Sequence, residues 1–135
     1  MHTVYLSLGT NLGDKDANLI LAIKEIERRI GTICAQSAFM STEPWGFVSE
    51  NAFLNAAVRV LTSLSPVELL HETQRIEFDM GRTQKSSDGQ YHDRIIDIDI
   101  LLYDDISITT PELTIPHPLM YERDFVLIPL KEIME

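Results

Sequence analysis

Asp97 and Asp99 lie two residues apart in the run DRIIDIDILLY, each flanked by isoleucines, and such a pair can hold a divalent cation. Side chains alternate faces along an extended strand. Asp97 and Asp99 would therefore share one face with Ile95 and Leu101, while Ile96, Ile98, Ile100 and Leu102 line the other. The two Cα atoms then stand about 6.5 to 7 Å apart. At that spacing two carboxylates repel unless a cation or an arginine lies between them. The same alternation is also the ordinary pattern of a half-exposed antiparallel strand whose polar face meets water. The rest of the chain has to decide between the two.

Several elements must position that strand. Val4 to Leu8 alternates as a strand, and LGTNLGD after it carries two glycines and a turn asparagine. Leu19, Ile23, Ile26 and Ile30 recur at helical spacing, with Gly31 expected as a left-handed cap. Thr32 to Thr42 reads as extended, STEPWGFVSEN interrupts it, and a further strand is expected from Phe53 to Leu61. Ser65, Pro66 and Glu68 spell a capped helix entry; that helix carries Leu69, Leu70, Thr73, Ile76 and Glu77 and closes at Gly81. Arg82 to Asp93 has no apolar periodicity and is expected to be a long mobile loop. Tyr103 to Thr110 can return as a short edge strand. Pro129 is expected in the first turn of a helix through Leu130 to Met134, with Phe125 to Ile128 extended or irregular before it. Strand, helix, strand, strand, helix, strand is the split βαβ order. It predicts an α+β, ferredoxin-like sandwich, an antiparallel sheet with both helices on one face and an open ligand face opposite.

Composition removes other classes. At 135 residues, with no repeat or linker, one domain over residues 1–135 is expected. Acidic residues outnumber basic ones by 21 to 11, which argues against nucleic acid or an anionic membrane as the main partner. No apolar run reaches the roughly 18 residues of a membrane span. The single cysteine, Cys34, is expected as a small buried hydrophobe. With the strand-like opening VYLSL in place of a secretory leader, this suggests a cytoplasmic protein.

Five separated segments, LGTNLG, TEPWGF with FLNAAV, TQRIEFDMGR, DRIIDIDILLY and IPHPLMYERDF, together resemble the 6-hydroxymethyl-7,8-dihydropterin pyrophosphokinases of folate biosynthesis, in the same order and over essentially the whole chain. The resemblance implies the ferredoxin-like fold and a reaction that moves the terminal two phosphates of ATP as one unit onto the hydroxymethyl group of a reduced pterin, releasing AMP. It also implies two magnesium ions, with ATP and the dihydropterin as the small-molecule partners; a monomer is expected.

Each matched residue has a physical reason. Asp97 and Asp99 match the family's metal pair, hard oxygen ligands of the kind magnesium prefers. Arg82 and Arg94 match basic positions on the nucleotide phosphates, and His117 and Arg123 a second group on the far side; each can neutralise an oxygen whose charge grows during transfer. Gln74 and Glu77 look like an ATP-side polar pair, and Ile100 and Thr114 resemble positions that meet the nucleotide. On the pterin side, Phe53 and Phe125 match the aromatic positions that hold the ring, Asn55 the amide that reads its edge, and Thr42, Pro44 and Trp45 a segment that completes that edge.

Departures cluster in one loop. Gln84 replaces a second arginine, with Lys85 nearby to supply charge, and Tyr91 stands roughly where a tryptophan would lie over the closed site. Glu112 takes the place of another basic nucleotide contact. A non-catalytic pterin- or nucleotide-binding module with an impaired lid is therefore the alternative to the enzyme. An ordinary phosphatase or phosphoryl transferase is a second rival, and LGTNLGD lacks the Gly-Lys-Ser/Thr ending of a P-loop.

Overall fold

Val4, Leu6 and Leu8 alternate along β1 (His2–Thr10) and are fully buried, which makes this strand the centre of the molecule. The computed structural model describes residues 1–42, 52–81 and 95–134. Strand β1 pairs antiparallel with β4 (Phe53–Thr62) on one side and β5 (Asp97–Tyr103) on the other. Outside β4 lie β2 (Gly31–Gln36) and the short β3 (Met40–Thr42), so the sheet runs β2-β4-β1-β5, the ferredoxin-like order. The expected 82–93 loop lies outside the described residues. Among the described residues no helix is long and apolar enough to cross a membrane.

Helices α1 (Lys15–Arg29) and α2 (Pro66–Asp79) cover one face. Asp14 caps α1 by accepting from the Ala17 N–H at 3.1 Å. At α2 the expected reciprocal box forms: Glu68 N–H donates to Ser65 Oγ at 3.2 Å, and the Ser65 N–H to Glu68 Oε1 at 2.9 Å. Leu19, Ala22 and Ile26 of α1 and Leu69 and Ile76 of α2 pack with Val4, Leu6, Leu8, Ile98 and Ile100 in the main core.

Several expectations need correction. Gly31 is not a left-handed cap: Ile30 closes α1 in the right-handed region, and Gly31 opens β2. Cys34 is exposed, because the other parity of β2, Ile33 and Ala35, turns inward; its Sγ accepts from Arg59 Nε at 3.1 Å. Leu102 does not line the helix face. Partners jump from Leu6↔Ile100 to Tyr5↔Leu102, leaving Leu101 as an extra residue, and this bulge inverts the parity beyond it. Tyr103 therefore joins the main core, while Leu102 packs with Tyr5 on the opposite face. The segment after β5 does not return to the sheet edge: β6 (Ile108–Thr109) pairs with β7 (Thr114–Ile115) in a separate ribbon.

Phe125 to Ile128 is helical as well. Helix α3 runs Asp124–Ile133 with Pro129 inside it. An interior proline costs about 3 kcal/mol. Val126, Pro129, Leu130 and Ile133 are all buried on one stripe, and at roughly 1.5 to 3 kcal/mol per large side chain that burial outweighs the lost bond. Since Val126 and Leu130 pack with Leu101 and Met120, α3 covers part of the face expected to be open.

A clip joins the chain's start to the turn after β5. Asp104, at φ 49°, accepts the Thr3 N–H at 2.7 Å and meets the His2 ring at 2.8 Å. The Thr3 N–H first, and His2 second, hold its carboxyl below the ordinary range. A depressed carboxyl adds stability above its unfolded pKa, and that share disappears as pH falls through the folded value. Asp104→Asn keeps a residue that tolerates positive φ but removes the charge. Parallel thermal melts should find the variant less stable at neutral pH, with the gap closing below about pH 4. A gap that persists in acid would contradict the assignment.

Candidate active site

Cross-strand register assembles the site. On the face opposite α1 and α2, Asn55, Gly9 and Asp97 form one row across β4, β1 and β5, and Ala57, Ser7 and Asp99 form the next. Phe53 extends the first row's edge along β4, opposite Thr42 of β3. Arg123 and Phe125, at the entry of α3, lie over these rows. Ser7, Gly9, Phe53, Asn55, Asp97, Asp99, Arg123 and Phe125 line one pocket of about 370 Å³. Leu70, Ile98, Asp99, Ile100, Glu112, Leu113, Thr114 and His117 line much of a second, of about 620 Å³. Asp99 belongs to both pockets, so the residue is a shared wall between them.

The amide of Asn55 is oriented from β3. Its Nδ2 donates to the Met40 carbonyl at 3.3 Å and to Thr42 Oγ1 at 2.9 Å. A carbonyl only accepts, so the amide nitrogen must face Met40 and Oδ1 is turned over Gly9. A Cβ at Gly9 would lie 3.2 Å from that oxygen and 3.7 Å from Phe53. Glycine there leaves a flat floor, and Asn55 presents an acceptor beside it, a shape suited to a planar ring with donors on its edge. Thr42 acts in this arrangement through Asn55.

Arg123 is buried, and burial pulls its guanidinium down to about 10. It remains a cation at neutral pH, 5.8 Å above the Phe125 ring. A desolvated cation at the pocket wall favours an entering anion. Glu77 does not line either of these pockets. Only 3% exposed beneath β5, it accepts the Ile98 N–H at 2.7 Å, gripping the backbone between the two aspartates. Gln74 is exposed on α2 and lines neither pocket, one turn beyond Leu70, which lines the second.

The structure thus brings together Phe53, Asn55, Phe125, Asp97, Asp99 and Arg123 in one pocket, and Asp99, Ile100, Thr114 and His117 in the other. Pro44, Trp45, Arg82, Lys85, Tyr91 and Arg94 lie outside the described residues. Ser7 and Gly9 escaped sequence reasoning, which read LGTNLGD as turn from the glycines onward. Parity within VYLSLG, with a serine between two leucines, was the available signal.

The donor set fits magnesium. Among the described residues no group of three or more His, Cys, Asp or Glu side chains gathers to cage a metal. A carboxylate pair at the junction of two pockets is what magnesium uses when substrate phosphates and water complete its shell.

The profile of the 7,8-dihydro-6-hydroxymethylpterin-pyrophosphokinase (HPPK) family matches residues 5–135. This chain belongs to the HPPK family. It is 51% identical over 134 residues to the 2-amino-4-hydroxy-6-hydroxymethyldihydropteridine pyrophosphokinase of Porphyromonas gingivalis, covering 98% of this chain and 91% of that protein. The Bacillus subtilis protein of the same description is 42% identical, with 97% and 77% covered. Among solved structures, an HPPK-DHPS in complex with substrates superposes with a TM-score of 0.77 at 15% identity over 98% of this chain, which establishes the shared fold. The chain spans 40% of the length of that HPPK-DHPS chain.

Proposed function

We propose that this chain is a magnesium-dependent pyrophosphokinase that transfers the terminal diphosphate of ATP to the hydroxymethyl group of 6-hydroxymethyl-7,8-dihydropterin. The hydroxymethyl oxygen attacks the β-phosphorus, the bond from the β-phosphorus to the α,β-bridging oxygen breaks, AMP leaves, and the hydroxyl proton is released. Membership of the HPPK family and close likeness to named pyrophosphokinases support this reaction. The observation that carries the site assignment is Asp99 in the wall of both pockets. Transfer between two bound molecules requires the reacting atoms about 3 to 3.5 Å apart, which adjoining pockets allow.

In this reading the flat ring lies over Gly9 between Phe53 and Phe125, with its donor edge on Asn55 Oδ1. Its hydroxymethyl group points along the row toward Asp97. The nucleotide occupies the second pocket, its apolar part against Leu70, Ile98, Ile100 and Leu113 and its phosphates toward Asp99 and His117. Asp97 and Asp99 would hold two magnesium ions, which when bound supply the charge that offsets the phosphate oxygens. Arg123 adds a fixed cation from the α3 side, and Arg82 and Arg94 are assigned to the phosphates by family resemblance. Residues 1–135 form one catalytic domain, acting as a monomer in the cytoplasm.

Incubation with ATP, magnesium and the hydroxymethyl dihydropterin should yield AMP and the pterin diphosphate. ADP as product would defeat the assignment, and pterin binding without turnover would favour a binding module. Phe125→Ala should weaken pterin affinity about ten- to a hundredfold, the scale of one lost stacking face. Fluorescence titration measures it, and unchanged affinity would remove Phe125 from the ring site.

A further inference from the structure

Ser7 stands in the middle of the central strand, opposite Asp99 on one side and Ala57 on the other. It is 6% exposed and forms part of the floor of the ring pocket. Its hydroxyl makes no hydrogen bond to a described residue, yet the oxygen keeps access to the pocket. The hydroxyl is therefore not sealed in the core: it can bond whatever occupies the pocket, which an alanine beside Ala57 could not. Such a hydroxyl, aimed into a ligand pocket, implies a partner that arrives with the ligands.

Its register says which ligand. Phe53 and Asn55 belong to the Gly9 row and beyond, a row that ends on Asp97, whereas Ser7 lies in the next row, directly beside Asp99. On its other side Leu101 and Leu102 offer no acceptor, and Tyr5 offers only its phenol oxygen. Magnesium retains several waters, each needing a hydrogen-bond acceptor. Arg123, being a cation, offers none.

We propose that Ser7 is a positioning residue of the cation site, its hydroxyl accepting a hydrogen bond from the hydration shell of the divalent cation held by Asp97 and Asp99. The proposal rests on the cation role given to that pair. Outer partners of this kind are commonly worth ten- to a hundredfold in metal affinity.

Calorimetric titration of magnesium into protein saturated with α,β-methylene ATP tests it, because this analogue cannot break at the bond the reaction cleaves. Ser7→Ala should raise the magnesium dissociation constant about tenfold, with melting temperature and pterin affinity close to the parent's. Ser7→Thr, which keeps the hydroxyl, should stay within about threefold. Magnesium affinity unchanged in the alanine variant overturns the proposal, as does an equal loss in the threonine variant. A pterin affinity that falls as far as the magnesium affinity would make Ser7 a ring contact instead. A parent protein that binds no magnesium under these conditions overturns the cation reading itself, an outcome recognisable without any variant.

Discussion

Replacing Asp99 with asparagine should lower the rate of AMP formation by at least about a thousandfold while leaving the fold intact. The substitution keeps the size of the side chain and removes the charge from an aspartate that lines both pockets. Asp97→Ala and Asp99→Ala should each lower turnover by several orders of magnitude. Neither residue is buried in the core, so melting temperatures should move little. Pterin affinity should change less than turnover, since the ring contacts proposed above are those of Phe53, Asn55 and Phe125. Steady-state assays at saturating magnesium, beside thermal melts, separate the effects. A near-normal rate in any of these variants would contradict the metal role.

Gly31→Ala should cost about 3 kcal/mol, lowering the melting point by roughly 10 °C. A Cβ at this position would fall 1.9 Å from the Leu61 carbonyl oxygen and 2.9 Å from its carbon, both backbone atoms of the neighbouring strand. Relief requires β2 to move away from β4, where Thr62 Oγ1 also donates to the Ile30 carbonyl at 2.6 Å. Gly31→Asn discriminates between explanations. Asparagine is tolerated in the left-handed region, so it would be nearly harmless if Gly31 were a helix cap. Against a strand backbone it should be at least as damaging as alanine. A stable, well-folded asparagine variant would restore the cap explanation.

That glycine shows where local spacing stops being informative. The position after a helical stripe correctly marked the end of α1, but the need for glycine came from Leu61, thirty residues further along the chain. Leu102 shows the same limit. Alternation placed Asp97 and Asp99 together and Ile98 and Ile100 opposite, and this holds as far as Leu101, where the bulge against Tyr5 and Leu6 inverts the remainder. Pro129 misled for a different reason. Its cost is intrinsic and visible in the residue itself, whereas the burial of Val126 and Leu130 that offsets it depends on Leu101 of β5 and Met120 of the segment before α3.

From the sequence by itself came the split βαβ order, the capped entry of α2, the shared face of the two aspartates and, through family resemblance, the family and the residues proposed for its substrate sites. All of these follow from spacings within one element or from motifs read one segment at a time. Only the tertiary structure decided that Ser7 and Gly9 line one pocket with Phe53 and Asn55, that Glu77 grips the strand between the aspartates, and that Asp99 lines both pockets. The physical reason is register: which side chains become neighbours across β4, β1 and β5 depends on how distant strands align, and no local period in the chain encodes that alignment.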